Sequence, residues 1–331
     1  MKFDKSKYVQ LSILEKQKYI KFIKDEFEKS LAKALNLTRV SAPILVTKES
    51  GLQDDLSGVE RKVSFDIKKN GKELEIVQSL AKWKRMALKK YNFDMHSGLY
   101  TDMLAIRRDD EMDEMHSVYV DQWDWEKVID NEDRNVKYLQ KTVKKIVKAI
   151  ANTNYKVKKL GFCGVDICPD VFFITSQKLL DMYPNKTSKE REYLITKQYK
   201  TVFIMQIGNN LSNGLPHDSR APDYDDWALN GDLLFYHEVL DAPIEISSMG
   251  IRVDSKTMLE QLEKSCKTER AEYSFHKAVL GDELPLSIGG GIGQSRLCML
   301  MLGRAHIGEV QASYWDDENI IKCKKLGIEL L

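Results

Sequence analysis

Apolar residues recur every three or four positions over 20–35 and again over 136–150, with polar residues, many of them lysine, between them. This spacing places the apolar side chains on one helix face and predicts two long amphipathic helices. A shorter stripe predicts a third helix over 79–91. Thr187 and Glu190 have the spacing of a capping box and predict a further helix start.

Alternation of apolar and polar residues predicts the strands. Residues 63–76 are predicted to form a hairpin that turns at Asn70-Gly71, a pair that favours tight turns. The other predicted strands lie at 41–46, 98–107, 117–123, 171–175, 201–207, 232–239, 244–253 and 286–296, the last of which runs through glycines into a helix. Because neighbouring strands resemble hairpins rather than βαβ units, the pattern predicts an α+β fold with a mainly antiparallel sheet.

The composition is typical of a soluble globular protein, since 43% of the 331 residues are hydrophobic and 31% are charged. The 51 Lys and Arg residues balance the 50 Asp and Glu residues, and a net charge of +1 makes nucleic acid a poor partner. The five cysteines are odd in number and lack paired spacing, which argues against a disulfide framework. Cys163 and Cys168 are far from other Cys or His pairs, which argues against a zinc site. No signal peptide and no run of 18 apolar residues occurs, so the chain is predicted to be cytoplasmic and not membrane-bound.

The glycine cluster at 289–293 indicates a close approach of the backbone, either to a ligand or to packed neighbours. It does not fit G-x-G-x-x-G, because Gln294 or Arg296 occupies the final glycine position. The chain has no P-loop, no H-E-x-x-H pair and no G-x-S-x-G elbow.

Two polar patterns are candidates for ligand binding. Gln122 and Asp124 share one strand face and could hold a small zwitterion, although a strand end that turns to solvent explains them as well. Carboxylates, which Mg²⁺ prefers, recur at Asp223, Asp225, Asp226, Asp232 and Glu245. Clustered acids are, however, more often plain surface.

Eight segments in series carry the strongest signal. They are QDDLSG at 53–58, QSLAKWKR at 78–85, GLYTDM at 98–103, HSVYVDQWDWE at 116–126, RAPDYDDW at 220–227, LNGD at 229–232, EISSMGIRV at 245–253 and IGGGIGQSRL at 288–297. Together they resemble the ammonia-dependent, type A asparagine synthetases, or aspartate–ammonia ligases, over residues 15–315. The sequence departs from that family at Asn209-Asn210, in the short segment after Trp227, over 155–170 and after Tyr314.

The resemblance implies the fold of a class II aminoacyl-tRNA synthetase-like catalytic core, an antiparallel sheet flanked by helices, in a homodimer. Residues 15–46 would supply the dimer motif. Residues 54–126 and 220–296 would form the nucleotide and aspartate site. Residues 1–331, which show no internal repeat and no linker, are predicted to form a single catalytic domain.

The family's site residues match positions of this sequence. The resemblance assigns ATP binding to Arg107, Ser117, Arg220, Ser247, Ser248 and Arg296, and Mg²⁺ binding to Asp232 and Glu245. It assigns aspartate binding to Asp54, Ser79, Lys84, Gln122, Asp124, Asp225 and Arg252. Arg107 would act catalytically on the α-phosphate, because a guanidinium forks to two oxygens as negative charge develops. Asp54 or Asp225 would take the proton from ammonium.

The implied reaction has two steps. The β-carboxylate of aspartate attacks the α-phosphorus of ATP to give β-aspartyl-AMP and pyrophosphate, and ammonia then displaces AMP to give asparagine. Free ammonia is the expected nitrogen source, because Lys2 rather than a cysteine follows Met1 and no second domain remains to hydrolyse glutamine.

Two alternatives stay open. An aminoacyl-tRNA synthetase paralogue would need a tRNA-binding domain or a basic surface, against which one domain with a net charge of +1 argues. An inactive binding protein on the same fold would have lost Arg107, Arg296 or the acidic pair, and all of these are present.

Overall fold

A computed structural model of the chain describes residues 3–56, 59–162 and 165–331. The described residues form eleven strands and nine α-helices. The strands are β1 (Leu37–Arg39), β2 (Leu45–Val46), β3 (Ser64–Asp66), β4 (Glu73–Ile76), β5 (Gly98–Ile106), β6 (Tyr119–Val128), β7 (Phe172–Thr175), β8 (Thr201–Met205), β9 (Asp225–His237), β10 (Ala242–Arg252) and β11 (Ser287–Gly293). The helices are α1 (Ile13–Leu35), α2 (Ala81–Lys90), α3 (Val136–Lys159), α4 (Ser176–Met182), α5 (Ser188–Tyr199), α6 (Ser255–Lys264), α7 (Ser274–Leu280), α8 (Gln294–Leu302) and α9 (Asp317–Leu326). Cys163 and the last two residues of the 53–58 motif lie outside the described residues.

Eight strands form the main sheet in the order β1-β5-β6-β11-β10-β9-β8-β7, and β2, β4 and β3 form a small second sheet. The six central strands of the main sheet pair antiparallel, as predicted. The prediction of an antiparallel sheet is wrong at both edges, where β1 pairs parallel with β5 and β7 pairs parallel with β8. The sheet is therefore mixed. Long connections that contain helices join each parallel pair, as parallel strands require.

Two long helices cover one face of the main sheet. α1 begins with a capping box, in which Ser12 Oγ accepts from the backbone N–H of Glu15. The ring of Phe27 on α1 packs against that of Trp123 on β6 with 4.8 Å between centroids, and both are buried. α3 packs beside α1 and buries the predicted apolar stripe. Because side chains alternate along β6, the neighbours of Trp123 point to the opposite face of the sheet.

The local predictions hold where periodicity is clear. The predicted hairpin forms from β3 and β4, with Gly71 at a φ of 65°. The capping box of Thr187 and Glu190 starts α5. The strand expected at 41–46 shrinks to Leu45–Val46, and β9 begins at Asp225, so the preceding loop is shorter than expected.

In the described part of the chain, no helix is both long enough and apolar enough to span a bilayer.

Candidate functional site

A row of residues from four neighbouring strands crosses the face of the main sheet away from α1. Asp232 of β9 pairs with Ser248 of β10, Ser248 pairs with Gly291 of β11, and Gly291 pairs with Asp124 of β6. Directly opposed residues of antiparallel strands project from the same face. The fold therefore gathers residues from distant parts of the chain at one place.

A cavity of about 340 Å³ lies over this row, a volume suited to a small molecule. All but one of the site residues implied by the sequence line it. They are Asp54, Ser79, Lys84, Arg107, Ser117, Gln122, Asp124, Arg220, Asp225, Glu245, Ser247, Ser248, Arg252 and Arg296. The exception is Asp232, which contacts the cavity wall through Arg220.

The glycines of β11 make room for polar side chains of β6. A Cβ added at Gly291 would lie 2.1 Å from Gln122 Oε1 and 2.6 Å from Asp124 Oδ1. A Cβ at Gly289 would lie 1.9 Å from Glu126 Oε2. Any other residue here would push these polar groups out of place. Of the two interpretations of the glycine cluster, close packing against protein side chains therefore explains Gly289 and Gly291.

Lys84 and Asp124 lie side by side in the cavity wall. Lys84 Nζ donates to the carbonyl oxygen of Gly290 at 2.9 Å and lies 3.2 Å from Asp124 Oδ2. Burial lowers the pKa of Lys84 in spite of Asp124. Asp124 is buried, so the alternative in which this strand end turns to solvent is wrong. The pair offers a donor and an acceptor of opposite charge to a ligand.

Arg252 is buried between two carboxylates. It donates to Glu126 at 2.9 Å from Nε and at 2.6 Å from Nη2, and its Nη1 donates to Asp225. Burial alone would lower the pKa of Arg252, but the two carboxylates outweigh it and raise the pKa. Burial raises the pKa of Asp225 in spite of Arg252. The sequence analysis missed Glu126, although the alternation of Gln122 and Asp124 along the strand continues to it.

Arg107 and Arg296 both line the cavity. Arg107 donates to the backbone oxygen of Gln78 at 3.3 Å, and Arg296 Nη1 donates to the backbone oxygen of Glu245 at 3.1 Å. Burial raises the pKa of Asp110, while both arginines oppose that rise. Both guanidinium groups therefore contribute positive charge to the part of the cavity that Asp110 also lines.

Arg220 forms an ion pair with Asp232 and lies 3.1 Å from Asp218. Burial raises the pKa of Asp232, with Arg220 opposing the rise and Glu245 adding to it. In the part of the chain that the structure describes, Asp232 Oδ1 is a buried oxygen without a hydrogen-bond partner. An orphaned carboxylate oxygen beside a second carboxylate fits a hard divalent cation.

A separate group of three side chains has metal-ligand spacing. It consists of His96, Asp130 and Asp133, is the one such group within the described ranges, and lies outside the cavity. It shares no member with the pair of Asp232 and Glu245. A cation at that pair would therefore complete its coordination with oxygens from a ligand or from water.

The hydroxyl groups and Asp54 are held by local contacts. Ser247 Oγ donates to the backbone oxygen of Gly291 at 2.8 Å, and Ser117 Oγ lies 2.8 Å from Ser313 Oγ. Ser79 Oγ accepts from the backbone N–H of Ala81 at 3.1 Å. Asp54 Oδ1 accepts from the backbone N–H of Leu56 at 2.9 Å. These contacts fix the side chains that border the cavity.

The acids before and at the start of β9 are buried, so their interpretation as plain surface is wrong. Asp226 pairs with Arg134 at 2.7 Å, and Asp223 is surrounded by three nitrogen donors. Tyr224 and Asp218 also line the cavity, and the sequence analysis did not propose either. Tyr224 lies inside the RAPDYDDW motif, which is the signal that could have identified it.

The family model for aspartate–ammonia ligases matches residues 14–327 of the chain. The chain belongs to the aspartate–ammonia ligase family. It is 55% identical over 324 residues to the aspartate–ammonia ligase of Clostridium tetani, which covers 97% of this chain and 95% of the relative. It is also 55% identical over 321 residues to the aspartate–ammonia ligase of Bacillus cytotoxicus, and the match covers 97% of this chain and 98% of the relative. The resemblance drawn from the eight segments is confirmed.

Solved structures of asparaginyl-tRNA synthetases share the fold. The Pyrococcus horikoshii enzyme, solved with asparaginyl-adenylate, has a TM-score of 0.63 at 15% identity over 91% of this chain and 70% of its own. The Entamoeba histolytica enzyme has a TM-score of 0.62 at 14% identity over 90% of this chain and 66% of its own. The fold is therefore a class II synthetase-like core. Membership of the family makes the protein a ligase that forms asparagine from aspartate and ammonia.

Proposed function

We propose that this ligase activates aspartate with ATP to give β-aspartyl-AMP and pyrophosphate, and that ammonia then displaces AMP. One observation carries the proposal: two regions of different charge border the same cavity. The nucleotide region consists of Arg107, Ser117, Arg220, Ser247, Ser248 and Arg296. The amino-acid region consists of Asp54, Ser79, Lys84, Gln122, Asp124, Asp225 and Arg252.

The nucleotide region suits a triphosphate, because its three arginines supply forked, permanently charged donors. Arg107 binds the α-phosphate and the attacking carboxylate, and it stabilises the charge that develops at phosphorus. Arg220 and Arg296 bind the remaining phosphates or the nucleotide face. Ser117, Ser247 and Ser248 orient the nucleotide and its acyl group.

Mg²⁺ is the cation that fits the carboxylates beside this region. Asp232 and Glu245 would hold it, as the orphaned oxygen of Asp232 suggests. When bound, Mg²⁺ supplies positive charge to the pyrophosphate oxygens.

The amino-acid region suits aspartate, a small zwitterion with a second acid group. Asp124 accepts from the substrate amine, Lys84 donates to a carboxylate, and Gln122 bonds polar atoms of either kind. Ser79 and Arg252 border this region, and Arg252 fixes Asp225. Arg252 holds Asp225 in an ion pair, whereas Asp54 accepts a hydrogen bond from a backbone N–H. We therefore assign to Asp54 the role of the base that takes a proton from ammonium.

The proposal includes a homodimer formed through residues 15–46, a single catalytic domain over 1–331 and a cytoplasmic location. Residues 15–46 include most of α1 (Ile13–Leu35) and the edge strand β1 of the main sheet. An unpaired sheet edge is a common place for chain association. Light scattering after size exclusion measures the mass, and twice that of the chain is expected.

The decisive experiment gives the protein aspartate, ATP and Mg²⁺ with either ammonia or glutamine. Asparagine, AMP and pyrophosphate are expected with ammonia, and little product is expected with glutamine. Hydroxylamine in place of ammonia should trap the acyl group as the β-hydroxamate of aspartate. Formation of ADP instead of AMP would rule out the adenylate route.

A further inference from the structure

A cluster of buried charges lies behind the amino-acid region. A single oxygen of Asp223, Oδ2, lies 2.9 Å from Lys82 Nζ, 2.8 Å from Arg270 Nη1 and 2.9 Å from His276 Nε2. All four side chains are at most 7% exposed. Burial alone would raise the pKa of Asp223, but its three nitrogen partners outweigh this and lower the pKa. The charge at Asp223 is therefore well compensated inside the protein.

The cluster reaches the cavity through one backbone segment. Lys82 Nζ donates to the carbonyl oxygen of Gln53 at 2.9 Å, directly before Asp54. The side chain of Gln53 donates to Ile76 O at 2.8 Å and accepts from the backbone N–H of Gln78 at 2.9 Å. Asp54 therefore follows a residue that is fixed by three hydrogen bonds.

Lys82 acts on Asp54 from behind rather than from the cavity. Among the described residues that line the cavity, Asp54 is present, and Lys82, Asp223, Arg270 and His276 are not. Lys82 therefore lies behind the cavity wall and does not border the space in which a substrate would bind. It acts by fixing the neighbouring carboxylate and by setting the electrostatic potential around it.

The surroundings of Asp54 hold both signs of charge. The charged and titratable groups around it are Lys82 and Lys84 of α2, Asp55 beside it, Asp223 and Tyr224 before β9, Asp225 at its start, Arg270, and Arg107, which lines the same cavity. Burial raises the pKa of Asp54, Lys82 gives the largest opposing contribution, and Asp223 adds to the rise. Lys82 is thus the cation that most favours the ionised form of Asp54.

We propose that Lys82 is a positioning residue for proton transfer from ammonium, which holds the Asp54 carboxylate ionised and in place from behind the cavity wall. The inference rests on the proposed function of Asp54. The Asp54 carboxylate takes one proton from NH₄⁺ and becomes a carboxylic acid. The NH₃ that forms uses its lone pair to make the C–N bond at the acyl carbon. The bond from that carbon to the phosphate oxygen breaks, AMP leaves with its electron pair, and the nitrogen loses a second proton to water to give the amide. Asp54 then returns the proton to solvent.

The test compares Lys82→Met, which removes the charge, with Lys82→Arg, which keeps it. Asparagine formation is measured against pH at saturating substrates, and pyrophosphate exchange with aspartate is measured in the same samples. Lys82→Met should move the acidic limb of the pH profile of asparagine formation to higher pH by about one unit. At a fixed pH on that limb, the rate of asparagine formation should fall roughly tenfold. Lys82→Arg should restore the limb. In Lys82→Met the acidic limb of exchange should move less than that of asparagine formation, because exchange needs no proton transfer from ammonium.

A direct readout avoids any dependence on turnover. The ¹³C resonance of the Asp54 carboxyl, assigned with Asp54→Asn, should titrate at higher pH in Lys82→Met than in the unaltered protein. His276→Gln is the matched control, because burial lowers the pKa of His276 and its replacement removes no charge at neutral pH. The Asp54 titration should stay in place in that variant.

Several outcomes overturn the inference. An unchanged Asp54 titration in folded Lys82→Met protein does so, and so does a loss of rate that is uniform with pH. If Lys82→Met does not fold, Lys82→Met/Asp223→Asn removes both charges and should show a smaller shift in the same direction, and no shift refutes the role. A wild-type protein that makes no asparagine from ammonia would instead refute the proposed function itself.

Discussion

Arg252, which lines the cavity, forms a two-point ion pair with Glu126. Nε and Nη2 of Arg252 donate to the Glu126 carboxylate at 2.9 and 2.6 Å, and neither side chain is more than 2% exposed. The hydroxyl of Ser287 donates to the same carboxylate at 2.7 Å. Gly289 leaves the space in which the pair lies. The ion pair and Ser287 therefore connect β6, β10 and β11 at the amino-acid region.

Glu126→Gln should destabilise the protein by about 3 kcal/mol, because it removes one partner of a buried ion pair and leaves the charge of Arg252 with Asp225 alone. Chemical unfolding measures the free energy. Glu283→Gln is the control, since Glu283 pairs with Lys89 on the surface and should lose about 1 kcal/mol or less. Equal losses in the two variants would contradict the importance of the buried pair.

The stabilising effect of Glu126 should depend on pH. Burial alone would raise the pKa of Glu126, but Arg252, Lys84 and the Ser287 hydroxyl outweigh it and place the pKa below its ordinary value of 4.5. A carboxyl with a lowered folded pKa stabilises above its unfolded pKa, and the effect is lost as pH falls through the folded value. The difference in unfolding free energy between wild type and Glu126→Gln should stay constant from pH 8 to about 5 and shrink below about pH 4. A difference that grows in acid would contradict this assignment.

Arg107→Ala should abolish aspartate-dependent exchange between ATP and pyrophosphate and leave the fold intact. The guanidinium of Arg107 lies at the cavity and donates to a backbone oxygen. Without this guanidinium, the negative charge that develops at phosphorus is not stabilised. Losing such a group costs a factor of roughly 10² to 10³ or more in rate. The neighbouring Arg108 is exposed and does not line the cavity, so Arg108→Ala is a matched control. Undiminished exchange in Arg107→Ala would refute the role.

Gly291→Ala should weaken aspartate binding more than nucleotide binding. The added Cβ would lie 2.1 Å from Gln122 Oε1, a distance that forces the amide and Asp124 away from their positions. The KM for aspartate should rise at least tenfold, which corresponds to about 1.4 kcal/mol. Gly281→Ala is the control, because a Cβ added there would lie 3.2 Å from its nearest neighbour and Gly281 lies outside the cavity. A similar KM in both variants would show that β11 tolerates a side chain there.

Local sequence patterns predicted the helices and hairpins well, and non-local pairing poorly. The apolar spacing in α1 and α3 records which face is buried, and the structure confirms both helices. The parallel partners of β1 and β7 lie far along the chain, and local alternation contains no information about them. The start of β9 escaped prediction because its first residues, Asp225 and Asp226, are polar yet buried in ion pairs.

The site was predictable where residues occur in motifs and unpredictable where a partner comes from another segment. The motifs placed Lys84 and Asp124 in one expected region, and their side chains lie 3.2 Å apart. Nothing in the sequence indicated that Lys82 would share the Asp223 carboxylate with Arg270, because three separate segments supply that cluster. Buried ion pairs of this kind depend on the tertiary fold, which the sequence pattern does not specify.

Lys16→Met should lower stability without changing the turnover of the folded enzyme. Lys16 is fully buried on α1, where Nζ donates to the backbone oxygen of Glu329 at 2.6 Å and lies 3.6 Å from Glu309. Methionine keeps the apolar stem but removes the donor and the charge, so the free energy of unfolding should fall by about 3 kcal/mol. Lys21→Met on the same helix is the control, because Lys21 is 75% exposed and its pair with Asp25 contributes little. Lys16 lies outside the cavity, so a changed kcat below the unfolding transition would show that this cluster also acts on the site.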